Sequence, residues 1–322
     1  MVEIKFHHKT ILILQLLWNS LRKYFFLIFL ASLFIHEIKL SFNSKISNKY
    51  NKKKILFTFW EPKGKIPGYL QLCMKTWKIF LPDYEIKIMD YQQVKEYLGE
   101  TLFSNIICKS MPLSMQADAM RVALLSKYGG IWMDADTIVL NGDFIKEFEN
   151  FELAMIGEGK DNFQYMGFIF ASNNSSILNS WLKIIIDRVK YYKNILVDKR
   201  NFSISNETLK MVNSFDYLGN GIIDSILKNN NNTKYLRVES SRLNTFPERK
   251  IFTNSSIDKK QKYKLFYFQK GEPQTIIKNL TYLILLHNSW TPHKYKTMSE
   301  NEFLNQDILL SKLLGQILGN NQ

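Results

Sequence analysis

Asp134 and Asp136 stand two residues apart at the end of the apolar run Ile131 to Met133. In extended backbone, residues i and i+2 point to one side, so the two carboxylates can converge on one point. Side by side they repel unless a cation lies between them, and an all-oxygen ligand set suits Mg²⁺ or Mn²⁺. Taken alone, the same pair is equally a polar turn after a strand. Upstream, Asp118 and Arg121 sit at i and i+3 of a helical pattern, where they share a face and can pair. Such a pair is also a common structural feature. The helical pattern stops at Gly129-Gly130, where the backbone needs a left-handed cap or a close approach to a neighbour. The order is therefore Asp-x-x-Arg, an apolar helix, Lys-Tyr-Gly-Gly, an apolar strand, then Asp-x-Asp.

These residues need a frame, and the chain supplies alternating strand and helix patterns. Ile55 to Trp60 reads as a strand bounded by a Glu-Pro-Lys-Gly turn. A helix fits Tyr69 to Phe80 and is stopped by Leu81-Pro82-Asp83. Tyr84 to Met89 is a second strand, followed by helices near Gln92 to Leu98 and from Ser114 to Tyr128. Ile131 to Met133, Leu153 to Ile156 and Met166 to Ala171 are further strands, with a helix over Ile177 to Tyr191. The alternation predicts an α/β fold with a mostly parallel sheet between helices, whose ligands lie at the carboxyl ends of the strands. Asn201 to Ser256 resists assignment. Asn-x-Ser/Thr triplets at Asn201, Asn206, Asn231 and Asn279 are chance products of an Asn-rich chain. A strand over Tyr282 to Leu286, the polar His287-Asn288-Ser289-Trp290 and an amphipathic helical tail close the sequence.

Composition narrows the class. Of 322 residues, 46% are hydrophobic and 22% charged, which excludes a disordered or fibrous chain. Cys73 and Cys108 can build neither a disulfide framework nor a zinc site by themselves, which fits a reducing compartment. The net charge is +14, and ten Lys/Arg against Glu3 and Glu37 place +8 of it in the first 54 residues. There it adjoins two apolar runs, Ile11 to Trp18 and Tyr24 to Ile35, each short of the ~20 residues that span a bilayer core. Charge concentrated beside apolar segments predicts contact with an anionic membrane surface, or one short anchor, rather than nucleic acid. No small-residue cleavage site follows Ile35, which argues against a secretory signal. The expected organisation is a membrane-associating segment over 1–54, a main domain over 55–300 and a helical tail over 301–322.

The run "SMQADAMRVALLSKYGGIWMDADTIVL" resembles the core signature of the glycosyltransferases of capsular polysaccharide synthesis. They belong to a wider set with an Asp-x-Asp sugar-binding region that includes the yeast initiating mannosyltransferase and the clostridial glucosylating toxins. "ILFTFW", "CMKTWKIFLPDYEIKIMD" and "HNSW" resemble the family's opening and C-terminal elements, so the likeness spans about Ile55 to Trp290. It implies a GT-A type nucleotide-sugar-binding fold, a UDP- or GDP-sugar donor, a glycan or lipid-linked glycan acceptor, and Mn²⁺ or Mg²⁺. In it Asp134 and Asp136 match the metal and diphosphate carboxylates, with His287 as a further ligand. Asp118 and Arg121 match the pair that contacts the donor sugar. Trp60 matches a position near the nucleobase, Trp132 an aromatic near the donor, and Ser289 and Trp290 a lid on the diphosphate. The likeness also implies retention of configuration and work at the cytoplasmic face of the membrane. An inverting enzyme would need a general base, for which Asp224 and Glu158 are the available acids.

Two other classes compete. A nucleotidyltransferase also sets paired carboxylates on a strand, but introduces them with a Gly-Ser turn and adds a third on a later strand. A non-catalytic, membrane-attached nucleotide- or nucleic-acid-binding protein would explain the basic N-terminus. It leaves the paired carboxylates without a purpose.

Overall fold

The structure, a computed structural model, describes residues 54–158, 163–198, 205–214, 216–229, 234–239, 258–275 and 282–319. The membrane-associating segment expected over 1–54 lies outside them but for Lys54, as do the triplet residues Asn201, Asn231 and Asn279.

The main sheet begins with β1 (Lys54–Phe59), to which β2 (Tyr84–Met89) and β3 (Gly130–Met133) pair in parallel on either side. β4 (Thr137–Val139) leaves this sheet, and β5 (Leu153–Glu158), β6 (Phe163–Ala171) and β7 (Tyr235–Glu239) complete it in the order β2-β1-β3-β6-β5-β7. β6 runs antiparallel to both β3 and β5, while β7 is parallel to β5, so five of the six strands share one direction. The fold is mixed α/β with a mostly parallel sheet, as the alternation predicted. β4 instead pairs antiparallel with β8 (Leu283–Leu285) in a small second sheet.

Both faces of the main sheet are covered, which is why its central strands carry unbroken apolar runs. Phe57 and Trp132 face one core, Leu56, Ile131 and Met133 the other. Burying each such side chain contributes about 1.5–3 kcal/mol. On the first face lies the helix Leu113–Tyr128, buried along most of its length. In chain order the helices are α1 (Gly68–Phe80), α2 (Tyr91–Leu98), α3 (Glu100–Ile106) and α4 (Leu113–Tyr128). Then follow α5 (Ile145–Phe148), α6 (Ser176–Asp198), α7 (Asn206–Val212) and α8 (Asn220–Asn229). The last four are α9 (Lys259–Tyr267), α10 (His293–Lys296), α11 (Glu300–Leu304) and α12 (Leu309–Gly319). A third core joins α1, β4, β8, α9 and α12 through Tyr69, Ile138, Ile284, Tyr263 and Leu313.

Two devices fix β3 and β4, one at the start of β3 and one along β4. Gly129 and Gly130 both have positive φ, 66° and 97°. A Cβ on Gly130 would strike the Ile55 carbonyl, and one on Gly129 would come 2.8 Å from the Asn173 nitrogen. Only glycine allows β3 to start this close to β1. On the far side, the Trp77 indole donates to the Thr137 carbonyl at 2.7 Å, and the Val139 amide donates to Thr76 Oγ1 at 2.9 Å. α1 thereby pins β4.

Candidate active site

Asp134 follows the last residue of β3, at the edge where the parallel strands β1 and β3 both end. The two carboxylates are not held on extended backbone, as the spacing suggested. Asp134 to Thr137 form a turn closed by the Thr137 amide donating to the Asp134 carbonyl at 3.0 Å. The turn is tied on both sides: the Asp134 amide donates to Gly167 O at 2.8 Å and the Leu286 amide to Asp136 O at 3.1 Å.

Arg121 organises the first half of the site. Its Nη2 lies 3.4 Å from Asp118 Oδ1 and 3.5 Å from Asp134 Oδ1, and its Nη1 donates to the Met166 carbonyl. The guanidinium sits 5.0 Å from the Trp132 ring centroid, and the Trp132 indole N–H donates to Asp134 Oδ1 at 2.9 Å. Asp118, Arg121 and Trp132 are 3%, 5% and 1% exposed, whereas the Asp134 side chain is 35% exposed. Two buried donors thus hold one oxygen of a carboxylate that remains open to a ligand.

Asp118 itself is only half satisfied. Its Oδ2 is buried without a hydrogen-bond partner, and a Cβ on Gly219 would lie 3.1 Å from it. Burial pushes the Asp118 carboxyl up to about 7, against the pull of Arg121 and with the help of Asp134 and Asp216.

Asp136 anchors the second half. Its Oδ2 accepts the Asn288 amide at 2.6 Å, and the Asn288 side chain accepts the Tyr69 hydroxyl at 2.5 Å. Burial, and then the charge of Asp134, push Asp136 up to about 7. His287 and Trp290 flank Asn288 with their rings 4.0 Å apart. Burial, and then Lys259, hold the His287 imidazole below its usual value, so it is neutral at pH 7. Ser289 is exposed between them.

The structure therefore gathers Asp118, Arg121, Trp132 and Asp134 into one contact group and sets Asp136, His287 and Trp290 about an adjoining one. Trp60 lies at the end of β1, half-buried, with its indole donating to Lys65 O at 3.3 Å. Three participants gave no sequence signal strong enough to be singled out. Tyr69 read as an ordinary core aromatic and Met166 serves only through its carbonyl. Gly219 belongs to the stretch that resisted assignment, where the Gly-Asn-Gly turn was the available hint.

Among the described residues, no three His, Cys, Asp or Glu side chains are gathered into a metal-holding group. The donor set still fits a Mg²⁺-type cation, which binds through one or two carboxylates and substrate phosphates. Two carboxylates in one turn, one of them raised by the other's charge, are in the state that such a cation relieves.

A family described as capsular polysaccharide synthesis protein matches residues 14–283. No curated protein matches the chain. Solved structures that resemble it include the apo form of the glycosyltransferase GlyE of Streptococcus pneumoniae TIGR4, at 13% identity and TM-score 0.40. That match covers 83% of this chain and 60% of GlyE, so the chain spans less than two thirds of that protein. PaToxG glycosyltransferase matches at 16% identity and TM-score 0.35, over 55% of this chain and 69% of its own. A glycosyltransferase involved in glycosylation of the major capsid of PBCV-1 matches at 13% identity and TM-score 0.34, over 59% and 83%.

Proposed function

The chain belongs to the capsular polysaccharide synthesis protein family, and from that premise we propose that it is a metal-dependent glycosyltransferase. It moves a sugar from a UDP- or GDP-sugar to a glycan or lipid-linked glycan acceptor, with retention of configuration, in the making of a cell-envelope polysaccharide. The observation that carries this reading is the Asp134–Asp136 turn at the strand ends, one carboxylate oriented by Arg121 and Trp132, the other by the Asn288 amide. A nucleotidyltransferase or a plain binding protein gives no reason for this division of labour.

Asp134 and Asp136 would hold Mn²⁺ or Mg²⁺, with His287, in the adjoining turn whose Asn288 amide contacts Asp136, as a further nitrogen donor. A bound divalent ion supplies Lewis-acid stabilisation of the charge that develops on the leaving diphosphate. The chain's own residues do the positioning. Arg121 and Trp132 aim Asp134, the Asn288 amide aims Asp136, and the Trp290 and Ser289 turn closes over the diphosphate. Trp60 offers an aromatic face for the base.

Release of UDP or GDP from a panel of nucleotide sugars, with and without Mn²⁺, tests the reading. Metal-dependent release from at least one donor is expected; no release from any, with either metal, removes the transferase assignment.

Residues 1–54 are proposed to bind the cytoplasmic face of the membrane. Among the described residues, no helix is long and apolar enough to cross a membrane. Removing Met1 to Ser47 is expected to abolish sedimentation with anionic liposomes and to spare sugar release. A truncated protein that still sediments puts the contact elsewhere.

A further inference from the structure

We propose that Tyr69 is a positioning residue for the site: through Asn288 it sets the carboxylate of Asp136. The inference rests on the transferase reading for what Asp136 does, and on geometry for the link.

The link is a chain of two hydrogen bonds. The Tyr69 hydroxyl donates to Asn288 Oδ1 at 2.5 Å, and the Asn288 backbone amide donates to Asp136 Oδ2 at 2.6 Å. Tyr69 lies on α1, Asn288 in the turn after β8 and Asp136 in the turn before β4. Tyr69 and Asn288 stand 219 positions apart, so only the fold brings them together.

Tyr69 is itself held on all sides. It is fully buried, and its ring packs 5.7 Å from that of Phe303 on α11. The residue before it, Gly68, starts α1 against the N-terminal end of α11. The Gly68 amide donates to the Met298 carbonyl at 3.2 Å, and a Cβ at Gly68 would strike the Ser299 backbone. Ser299 in turn caps α11, accepting the Glu302 amide at 3.3 Å. The hydroxyl is therefore presented from a fixed platform.

A second buried tyrosine fastens the ends of the same turn. The Tyr263 hydroxyl accepts the His287 amide at 3.2 Å and lies 3.3 Å from Thr291 Oγ1. Tyr263 thus holds the chain on either side of Asn288 and leaves the Asn288 side chain to Tyr69. The two hydroxyls divide the work, and Tyr69 takes the residue whose amide reaches Asp136. Packing alone would be served as well by phenylalanine. A phenol in a dry core is accounted for by what its oxygen bonds. A functional carboxylate keeps its aim when the groups that hold it are themselves held by packing and hydrogen bonds.

The test reads the link directly, by hydrogen exchange followed with nuclear magnetic resonance on the full chain without metal. In Tyr69→Phe the Asn288 amide should exchange about tenfold faster, the worth of one hydrogen bond. The Val139 amide, which bonds to Thr76 on the same α1, should keep its rate. Tyr295→Phe, which removes a buried hydroxyl elsewhere in the third core, should leave Asn288 unchanged. Asn288→Ala removes the acceptor and leaves Tyr69 in place, so its own backbone amide at 288 should quicken to the same extent. It supplies the readout even if Tyr69→Phe fails to fold. Combined, the two changes should be no faster than either alone, because they break one link; additive effects mark a tyrosine that only packs. Mn²⁺ titration, read by water-proton relaxation, should show about tenfold weaker binding in Tyr69→Phe.

Exchange at residue 288 within twofold of wild type in the variants overturns the proposal. So does quickening shared equally by Val139, or additive effects, or Mn²⁺ affinity kept within twofold beside a quickened amide. The donor panel is independent. If the amide quickens while wild type binds no Mn²⁺ and releases nothing from any donor, the link stands and the transferase reading fails. If wild type transfers sugar and the amide exchanges as before, the link fails and the reading stands.

Discussion

The two halves of the site are built on opposite plans. Around Arg121 the charges are answered within the protein but for Asp118 Oδ2, and the whole group is buried except the outer part of Asp134. Around Asp136 less is answered: the acid accepts the Asn288 amide and lies under the charge of Asp134. The first half is organised before any ligand arrives and positions a carboxylate. The second leaves Asp136 beside the charge of Asp134, a repulsion that the proposed cation would relieve. Preorganisation of the first kind costs nothing at the moment of reaction, whereas the second kind supplies affinity.

The largest break should come from Asp136→Asn. Amide for carboxylate keeps an acceptor for the Asn288 N–H but removes the charge. Turnover should fall about 10²–10³-fold or more, with circular dichroism unchanged. Stability should move the other way. Burial and the charge of Asp134 push Asp136 up to about 7 from its ordinary 3.8, so the folded chain holds the extra proton between those values. The stability this lends is fully present below about pH 4 and is lost as pH rises through 7. Wild type in metal-free buffer should therefore melt lower at pH 8 than at pH 5.5, by more than Asp136→Asn does. Mn²⁺ should raise wild-type melting more at pH 8, because the metal must displace the proton. Equal pH slopes in the two proteins would show that Asp136 is not charged at a cost.

Arg121→Lys tests the other half and should have a middling effect. The guanidinium serves Asp118, Asp134 and the Met166 carbonyl at once. An ammonium keeps the charge but not the fork. The loss should be about 2 kcal/mol of stability, and turnover should fall about tenfold as Asp134 loses its aim. Wild-type melting together with wild-type turnover would leave Arg121 no positioning role.

The contrast also explains what the sequence disclosed. The Asp-x-x-Arg, Gly-Gly and Asp-x-Asp elements are local, and their helix, cap and turn sit within 19 residues, from Asp118 to Asp136. β1 and β3 were legible because strands buried on both faces carry apolar runs, and β2, at the sheet edge, because its charged and apolar residues alternate. α3 was missed since Glu100 to Ile106 is too short for a helical period to show. β4, three residues long, was hidden because it is defined by a partner nearly 150 positions later. The i, i+2 argument brought Asp134 and Asp136 together for the wrong reason: a turn does it, stabilised by contacts to Gly167 and Leu286. α9 docks on the His287–Thr291 turn through Tyr263, a long-range contact that no local pattern records.

The smallest and sharpest test is Trp290→Phe, because Trp290 stands where the two plans meet. Its ring packs 4.0 Å from His287 and 5.7 Å from Tyr263 and is half-buried against the third core, which is the behaviour of a structural aromatic. Its neighbours Asn288 and Ser289 belong to the open half, and the turn bears directly on Asp136. Phenylalanine preserves most of that packing and deletes the indole N–H, a donor with no acceptor capacity that suits a phosphate oxygen. If Trp290 closes over the diphosphate, the variant should melt within about 2 °C of wild type, since few apolar contacts are lost. It should bind pyrophosphate and turn over about three- to tenfold more weakly, the worth of one hydrogen bond. A clear fall in melting temperature, with activity lost in proportion to the unfolded fraction, would assign Trp290 to the core and leave closure to Ser289.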